Sequence, residues 1–192
     1  SIASKFQIKF FATGGIGGVH LNVENTNDVS ADLYALSENS NFVICSGAKS
    51  ILDLSKTNEL LETLGITRIG YQTNYMPGFW YEETENKVDN RFDEIHEISS
   101  FLKLNENIEN KKSILIFNKV PLEKALNKND VEKWINNAAI KADRNNISGK
   151  ELTPFLIKEI NEESKNETLN ANSSLIINNA NLAGKIAKNF YS

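Results

Sequence analysis

The sequence predicts an α/β protein with a mainly parallel or mixed sheet, flanking helices and a helical C-terminal part. Three observations predict this class. Short apolar runs rich in β-branched and aromatic residues alternate with segments of helical spacing, the first two runs end in small residues, and the pattern after residue 129 is helical. No linker rich in Pro, Gly or Ser divides residues 1–192, so we expect a single domain.

The first part of the chain alternates strands and helices. Strands are predicted over residues 6–11, 42–46, 66–71 and 113–117, and helices over 31–36, 51–64 and 93–104. Ser30 is the expected N-cap of the first of these helices, and Gly65 follows the second as a C-cap. The alternation predicts βαβ units. Residues 1–6 have the pattern of a helix already in progress, which predicts that the chain begins partway through a longer domain.

The C-terminal part is predicted to contain helices over residues 130–143, 153–160 and 169–190, with Pro154 in a first turn, where its missing N–H is tolerated. An aromatic loop at residues 76–81 precedes it. We expect this loop to pack between subunits, with cover for a pocket as the alternative, because exposed aromatic clusters mark contacts.

Composition excludes several functional classes. A net charge of −4 argues against a protein that holds duplex nucleic acid by neutralising phosphates. No apolar run approaches the roughly 20 residues that span a bilayer, so no membrane role is expected. Cys45 is the single cysteine, which predicts a buried structural thiol in a reducing compartment, the cytoplasm.

The segment from Thr13 to His20 is a glycine loop after a predicted strand. A dinucleotide fingerprint fails because His20 occupies the third glycine position, and the spacing before Lys49 does not fit a Walker loop. Two interpretations stay open: a cradle of backbone N–H groups for a phosphate or sugar, with Thr13 and His20 at its edges, or close packing of buried backbone.

Two side chains stand out chemically. Asp28 precedes a predicted helix, so it is either a helix cap or a ligand for Mg²⁺ or Mn²⁺. Lys49 follows an apolar strand, where partial desolvation would favour the neutral amine that forms Schiff bases; a simply exposed lysine is the alternative.

Several segments together closely resemble pseudouridine-5'-phosphate glycosidases. The matches run in order along nearly the whole chain: residues 11–20, 28–33, 45–53, 61–65, 70–73, 149–150, 153–156 and 178–180. The resemblance implies reversible cleavage of the C–C glycosidic bond of pseudouridine 5'-phosphate by water to uracil and ribose 5-phosphate. It also implies a Mn²⁺ cofactor and a trimer.

The resemblance assigns roles by position. Lys49 matches the nucleophile that carries the ribose as an imine, and Asp28 matches the manganese ligand. The remaining matches are to the substrate-binding residues Ser30, Ala31, Asp32, Thr13, His20 and Asn172.

The chain departs from the family in three places. His-Arg-Gly is here His20-Leu21-Asn22, and Asn-Pro-x-Pro is here Asn118-Lys119-Val120-Pro121. The family's chains are also longer at the N-terminus, where they hold a glutamate proton donor and a phosphate-side lysine. We therefore expect an enzyme that acts only with that N-terminal segment, this chain alone being inactive. The alternative is an inactive truncated remnant that serves as a binding or assembly subunit.

Overall fold

A five-stranded parallel sheet forms the centre of the computed structural model, which describes residues 2–106 and 112–192, the side chain of Lys150 excepted. The strand order is β1-β2-β5-β3-β4 and every neighbouring pair is parallel. The strands are β1 Phe10–Ala12, β2 Phe42–Cys45, β3 Thr67–Tyr71, β4 Asn90–Phe92 and β5 Ile114–Phe117. The predicted α/β class is confirmed.

The helices flank both faces of the sheet. In chain order they are α1 Ile2–Lys5, α2 Val23–Thr26, α3 Ala31–Glu38, α4 Leu54–Thr63, α5 Ile95–Glu106, α6 Lys128–Arg144, α7 Leu152–Glu163 and α8 Glu167–Tyr191. Helix α5 and the C-terminal part of α8 pack on one face, and α3, α4, α6, α7, the N-terminal part of α8 and the segment 76–81 contribute to the core on the other. None of the helices in the described ranges, including the 25 residues of α8, is long and apolar enough to cross a membrane.

Strands β2 and β5 are buried along their whole length, which explains their unbroken apolar runs. Several predicted helix signals are also confirmed. The Ser30 hydroxyl accepts the Asp32 N–H at the start of α3, and Gly65 follows α4 with a φ of +66°. The predicted helical start is present as α1, although Ser1 lies outside the described residues.

Two predicted boundaries were wrong, and one strand was missed. Strand β1 starts at Phe10 rather than at Phe6, because the backbone N–H groups of residues 6–8 bond back to residues 2–4 in a turn. Helix α4 starts at Leu54 rather than at residue 51, because Leu52 pairs with His20 and Asp53 caps the helix. Strand β4 was not predicted, since it has three residues and no apolar run.

The aromatic loop lies in the interior of the chain. Met76, Phe79, Trp80 and Tyr81 are all buried against α6 and the strand ends. The expectation that this loop packs between subunits was therefore wrong: the fold of this chain buries the side chains that the sequence presents as an aromatic cluster.

Candidate active site

The segments after β1 and β2 continue side by side beyond the carboxyl ends of their strands. The Ser46 N–H donates to the Gly14 carbonyl at 2.8 Å, and the Lys49 N–H donates to the Ile16 carbonyl at 3.1 Å. The glycine loop and the lysine loop thus extend the parallel ladder. This pairing holds the Lys49 backbone at the edge of the sheet where open α/β folds bind ligands.

Gly47 brings the lysine loop against the aromatic segment. Its φ is +85°, and a Cβ at this position would overlap the Pro77 carbonyl oxygen. The Phe79 N–H donates to the carbonyl of Ser46, the residue before Gly47, at 3.1 Å, so a hydrogen bond also joins the two segments. Only glycine meets both the left-handed conformation and the close approach.

The half-buried Lys49 side chain lines a cavity of about 700 Å³. Three other predicted site residues, Thr13, Asp32 and Asn172, line the same cavity. No hydrogen bond or ion pair joins the Lys49 ammonium to another described residue. The structure therefore brings four of the eight predicted site residues together around an amine that is not engaged in an ion pair within the described ranges.

Helix α3 begins against the glycine loop. An Asp32 carboxylate oxygen accepts the Gly17 N–H at 2.8 Å, and a Cβ on Gly17 would overlap the Ser30 side chain. The Ser30 N–H in turn donates to the Gly18 carbonyl at 2.9 Å. The first turn of α3, with exposed Ala31, is thereby fixed beside the loop, and Asp32 reaches the cavity.

The glycine loop uses its backbone donors internally. The N–H groups of Ile16, Gly17 and Val19 donate to the Gly47 carbonyl, the Asp32 carboxylate and the Thr57 hydroxyl. These three N–H groups do not form a phosphate cradle, so close packing is the better interpretation of this part of the loop.

His20 and Asp28 form a pair outside that cavity. The His20 Nδ1 lies 3.8 Å from an Asp28 carboxylate oxygen, and the Asp28 side chain is 39% exposed. Asp28 is not a helix cap, because Ser30 caps α3.

The metal-binding capacity of this pair is limited. Within residues 2–106 and 112–192, no group of three or more His, Cys, Asp or Glu side chains could hold a metal ion. A carboxylate and an imidazole nevertheless suit Mn²⁺ when water and substrate provide the other ligands.

The aromatic loop helps to shape the site, which agrees with the alternative prediction that it covers a pocket. Phe79, at a φ of +67°, lines the cavity beside Lys49. The Trp80 indole N–H donates to the Asn172 side-chain oxygen at 2.7 Å and so orients an amide of the cavity wall. The composition of the loop predicts contacts, but only the fold shows that Phe79 lines the cavity and that Trp80 bonds to Asn172 on its wall.

Two of the departures from the family pattern, at Asn22 and Lys119, have a local setting that the structure describes. Asn22, at the position of the family's glycine, has a φ of +62°, and asparagine tolerates this left-handed conformation. Lys119, at the position of the family's proline, places its ammonium 3.4 Å from Glu82 and 3.5 Å from Glu83.

Cys45 lies directly before this site but is not a nucleophile. It is fully buried, and burial raises the pKa of its thiol to about 12. Because the thiolate is the reactive form, this cysteine is structural, as predicted.

Comparison with known proteins agrees with the family resemblance. Residues 1–189 match the profile of the family described as indigoidine synthase A like protein. A pseudouridine-5'-phosphate glycosidase of Petrotoga mobilis is 46% identical over 189 residues, which cover 98% of this chain and 62% of that protein. Another from Staphylococcus aureus is 44% identical over 180 residues, which cover 94% of this chain and 59% of that protein. The chain thus spans about three fifths of the length of these curated relatives.

Solved structures share the fold. The crystal structure of the prealnumycin C-glycosynthase AlnA in complex with ribulose 5-phosphate matches with a TM-score of 0.93 at 31% identity, covering 98% of this chain and 62% of that one. An indigoidine synthase A-like protein of Thermotoga maritima matches with a TM-score of 0.87 at 34% identity, and the match covers 97% of this chain and 61% of that one.

Proposed function

The chain belongs to the indigoidine synthase A-like protein family, as its resemblance to the pseudouridine-5'-phosphate glycosidases predicted, and from that premise we propose its function. It carries the nucleophile of an enzyme that cleaves pseudouridine 5'-phosphate with water to uracil and ribose 5-phosphate, reversibly. The observation that carries the proposal is the placement of Lys49: its half-buried side chain lines the cavity formed by Thr13, Asp32 and Asn172.

The chemistry of a C-glycoside explains why a lysine is used. The carbon leaving group has no lone pair to protonate, so the acid and nucleophile pair of ordinary glycosidases does not suffice. We propose that the neutral Lys49 amine bonds to the anomeric carbon, whose ring oxygen leaves as a protonated hydroxyl. The amine loses a proton, and its electron pair then forms the C=N bond as the C–C bond breaks. The uracil carbon takes that bond's electrons and a proton, and water hydrolyses the imine to ribose 5-phosphate and free lysine.

The other residues of the site bind and orient the sugar in this proposal. Thr13, Asp32 and Asn172 offer a hydroxyl, a carboxylate and an amide to sugar hydroxyls, while Ser30 and Ala31 form the first turn that places Asp32. His20 lies beside Asp28, outside this cavity. Such placement contributes by holding the reacting carbon near the amine.

We propose that Mn²⁺ is held by Asp28, with His20 beside it. When bound, the ion supplies positive charge and ordered water near an anionic substrate. Asp28→Asn should weaken Mn²⁺ binding measured by calorimetry or electron paramagnetic resonance by at least about tenfold. Glu24→Gln is the matched control, since Glu24 is an exposed carboxylate paired with Lys56. Equal Mn²⁺ affinity in the two variants would rule out this site.

The proton donor is proposed to come from a further segment of the same enzyme. Asp32 is the one carboxylate among the described residues of the cavity wall, and it already accepts the Gly17 N–H. The wall also has an open apolar side at the β1 edge, where Phe11 is 49% exposed. A segment packed there would supply the acid and close the open side of the cavity. The inactivity of the chain alone, the trimer and the cytoplasmic location stay predictions.

Borohydride trapping tests the nucleophile. The complete enzyme, incubated with ribose 5-phosphate and reduced, should gain one sugar phosphate on the peptide that contains Lys49. Lys49→Arg should abolish the adduct. Lys119→Met is the control, because Lys119 is also partly buried but is paired with two glutamates, and it should leave the adduct in place. An adduct on a different lysine would refute the assignment.

A further inference from the structure

We propose that Asn179 is a positioning residue that holds the loop of the nucleophilic lysine in register with the loops after β1 and β5. The inference rests on the proposed role of Lys49. Asn179 lies on α8, is fully buried and makes no contribution to the cavity wall described above.

Its side-chain amide contacts three loops. The Nδ2 group donates to the Thr13 carbonyl at 2.8 Å and lies 3.0 Å from the Ser46 hydroxyl. The Oδ1 atom accepts the Asn118 side-chain N–H at 3.0 Å. Thr13, Ser46 and Asn118 follow β1, β2 and β5, so one amide joins the carboxyl ends of three adjacent strands.

The chemistry of this position requires an amide. The group must donate to a backbone carbonyl and also accept from an amide N–H, and a primary amide has both donors and an acceptor. An aspartate would keep the acceptor but face the Thr13 carbonyl with a second oxygen. An apolar residue would leave buried polar groups of three loops without a partner, which is costly.

A short chain of hydrogen bonds connects Asn179 to the loop that carries Lys49. Ser46 lies three residues before Lys49, and its N–H donates to Gly14, whose carbonyl is also 3.3 Å from the Asn179 amide nitrogen. A displacement of the Ser46 and Gly14 backbones would therefore move the ladder on which Lys49 rests. Helix α8 also carries Asn172, about two turns earlier, so one rigid helix places both a cavity residue and the lysine loop.

Two readouts test the inference in the complete enzyme. Hydrogen exchange should show that Asn179→Ala reduces protection of the Ser46 and Lys49 backbone N–H groups by at least about tenfold, because their ladder loses its brace. The rate of borohydride-trapped adduct formation at Lys49 with saturating ribose 5-phosphate should fall by at least about tenfold as well. Asn179→Asp should be no better than Asn179→Ala in either measurement.

Thr168→Ala is the matched control. Thr168 is also fully buried on α8, and its hydroxyl donates to the Asn161 side chain at 2.6 Å, away from the three loops. This variant should lower the melting temperature yet leave both readouts unchanged at a temperature where it is folded. The proposal is overturned if Asn179→Ala leaves protection and trapping at wild-type levels, or if Thr168→Ala lowers both equally.

The two readouts also separate this inference from the proposed function. A wild-type enzyme that is not trapped at Lys49 would refute the nucleophile, while the exchange measurement would still decide whether Asn179 holds the loop.

Discussion

Substituting Gly47 by alanine is the sharpest test of how the lysine loop is built. Gly47 combines a φ of +85° with a Cβ position that would overlap the Pro77 carbonyl oxygen. The left-handed conformation costs a non-glycine residue about 1–2 kcal/mol. Forcing an extra carbon into a packed site costs about 1–3 kcal/mol more. We therefore expect Gly47→Ala to lower the free energy of unfolding by about 2–5 kcal/mol.

Two other glycines separate these contributions. Gly149 has a φ of +58° with open space around its Cβ position, so Gly149→Ala should cost only the conformational part, about 1–2 kcal/mol. Gly184 lies in α8 with open space and no left-handed conformation, so Gly184→Ala should stabilise by about 1 kcal/mol.

Urea denaturation of the three variants gives the free energies directly, and borohydride trapping reports the lysine. Gly47→Ala should also lose most of the Lys49 adduct, whereas the other two should keep it. The reasoning is refuted if Gly47→Ala costs no more than Gly149→Ala, because the contact with Pro77 would then not constrain the loop.

Three further predictions concern buried groups. Burial raises the pKa of Cys45 from 9.0 to about 12, so the folded state holds the thiol proton more tightly than the unfolded state does. The contribution of this difference to the free energy of unfolding is complete below pH 9 and is lost as the pH rises from 9 towards 12. Between pH 8 and pH 10, the free energy of unfolding should fall by about 1.4 kcal/mol less in Cys45→Ala than in wild type, as measured by urea denaturation. Asp89→Ala should cost about 2–3 kcal/mol by urea denaturation, because the buried Arg68 guanidinium loses a partner 2.6 Å away. Trp80→Phe removes the donor to Asn172 and, on the proposed function, should raise KM for pseudouridine 5'-phosphate about fivefold in steady-state assays of the complete enzyme.

Controls make these outcomes decisive. Asp93→Ala removes an exposed partner of Arg91 and should change the free energy of unfolding by less than about 0.5 kcal/mol. If it costs as much as Asp89→Ala, burial is not the reason for the cost. An unchanged KM in Trp80→Phe would mean that Asn172 does not need its indole partner, and a pH dependence equal to wild type in Cys45→Ala would contradict the buried thiol.

The sequence could predict the elements whose signals are local. The apolar runs of β2 and β5, the Ser30 cap and the glycine after α4 each depend on neighbouring residues, and the structure contains all of them. Strand β4 could not be predicted in this way. Its three residues have no apolar pattern, and its place depends on the register with β3 and on the Arg68–Asp89 pair.

The same division holds for the candidate site. The sequence by itself indicated the family and, through that resemblance, the candidate groups for the chemistry, the Lys49 amine and the Asp28 carboxylate. Only the tertiary structure decided that Lys49 shares a cavity with Asn172 and Phe79, and that Asp28 lies outside it beside His20. The reason is separation along the chain: Ser46 and Asn179 are 133 residues apart, and no local pattern reports a hydrogen bond over that distance.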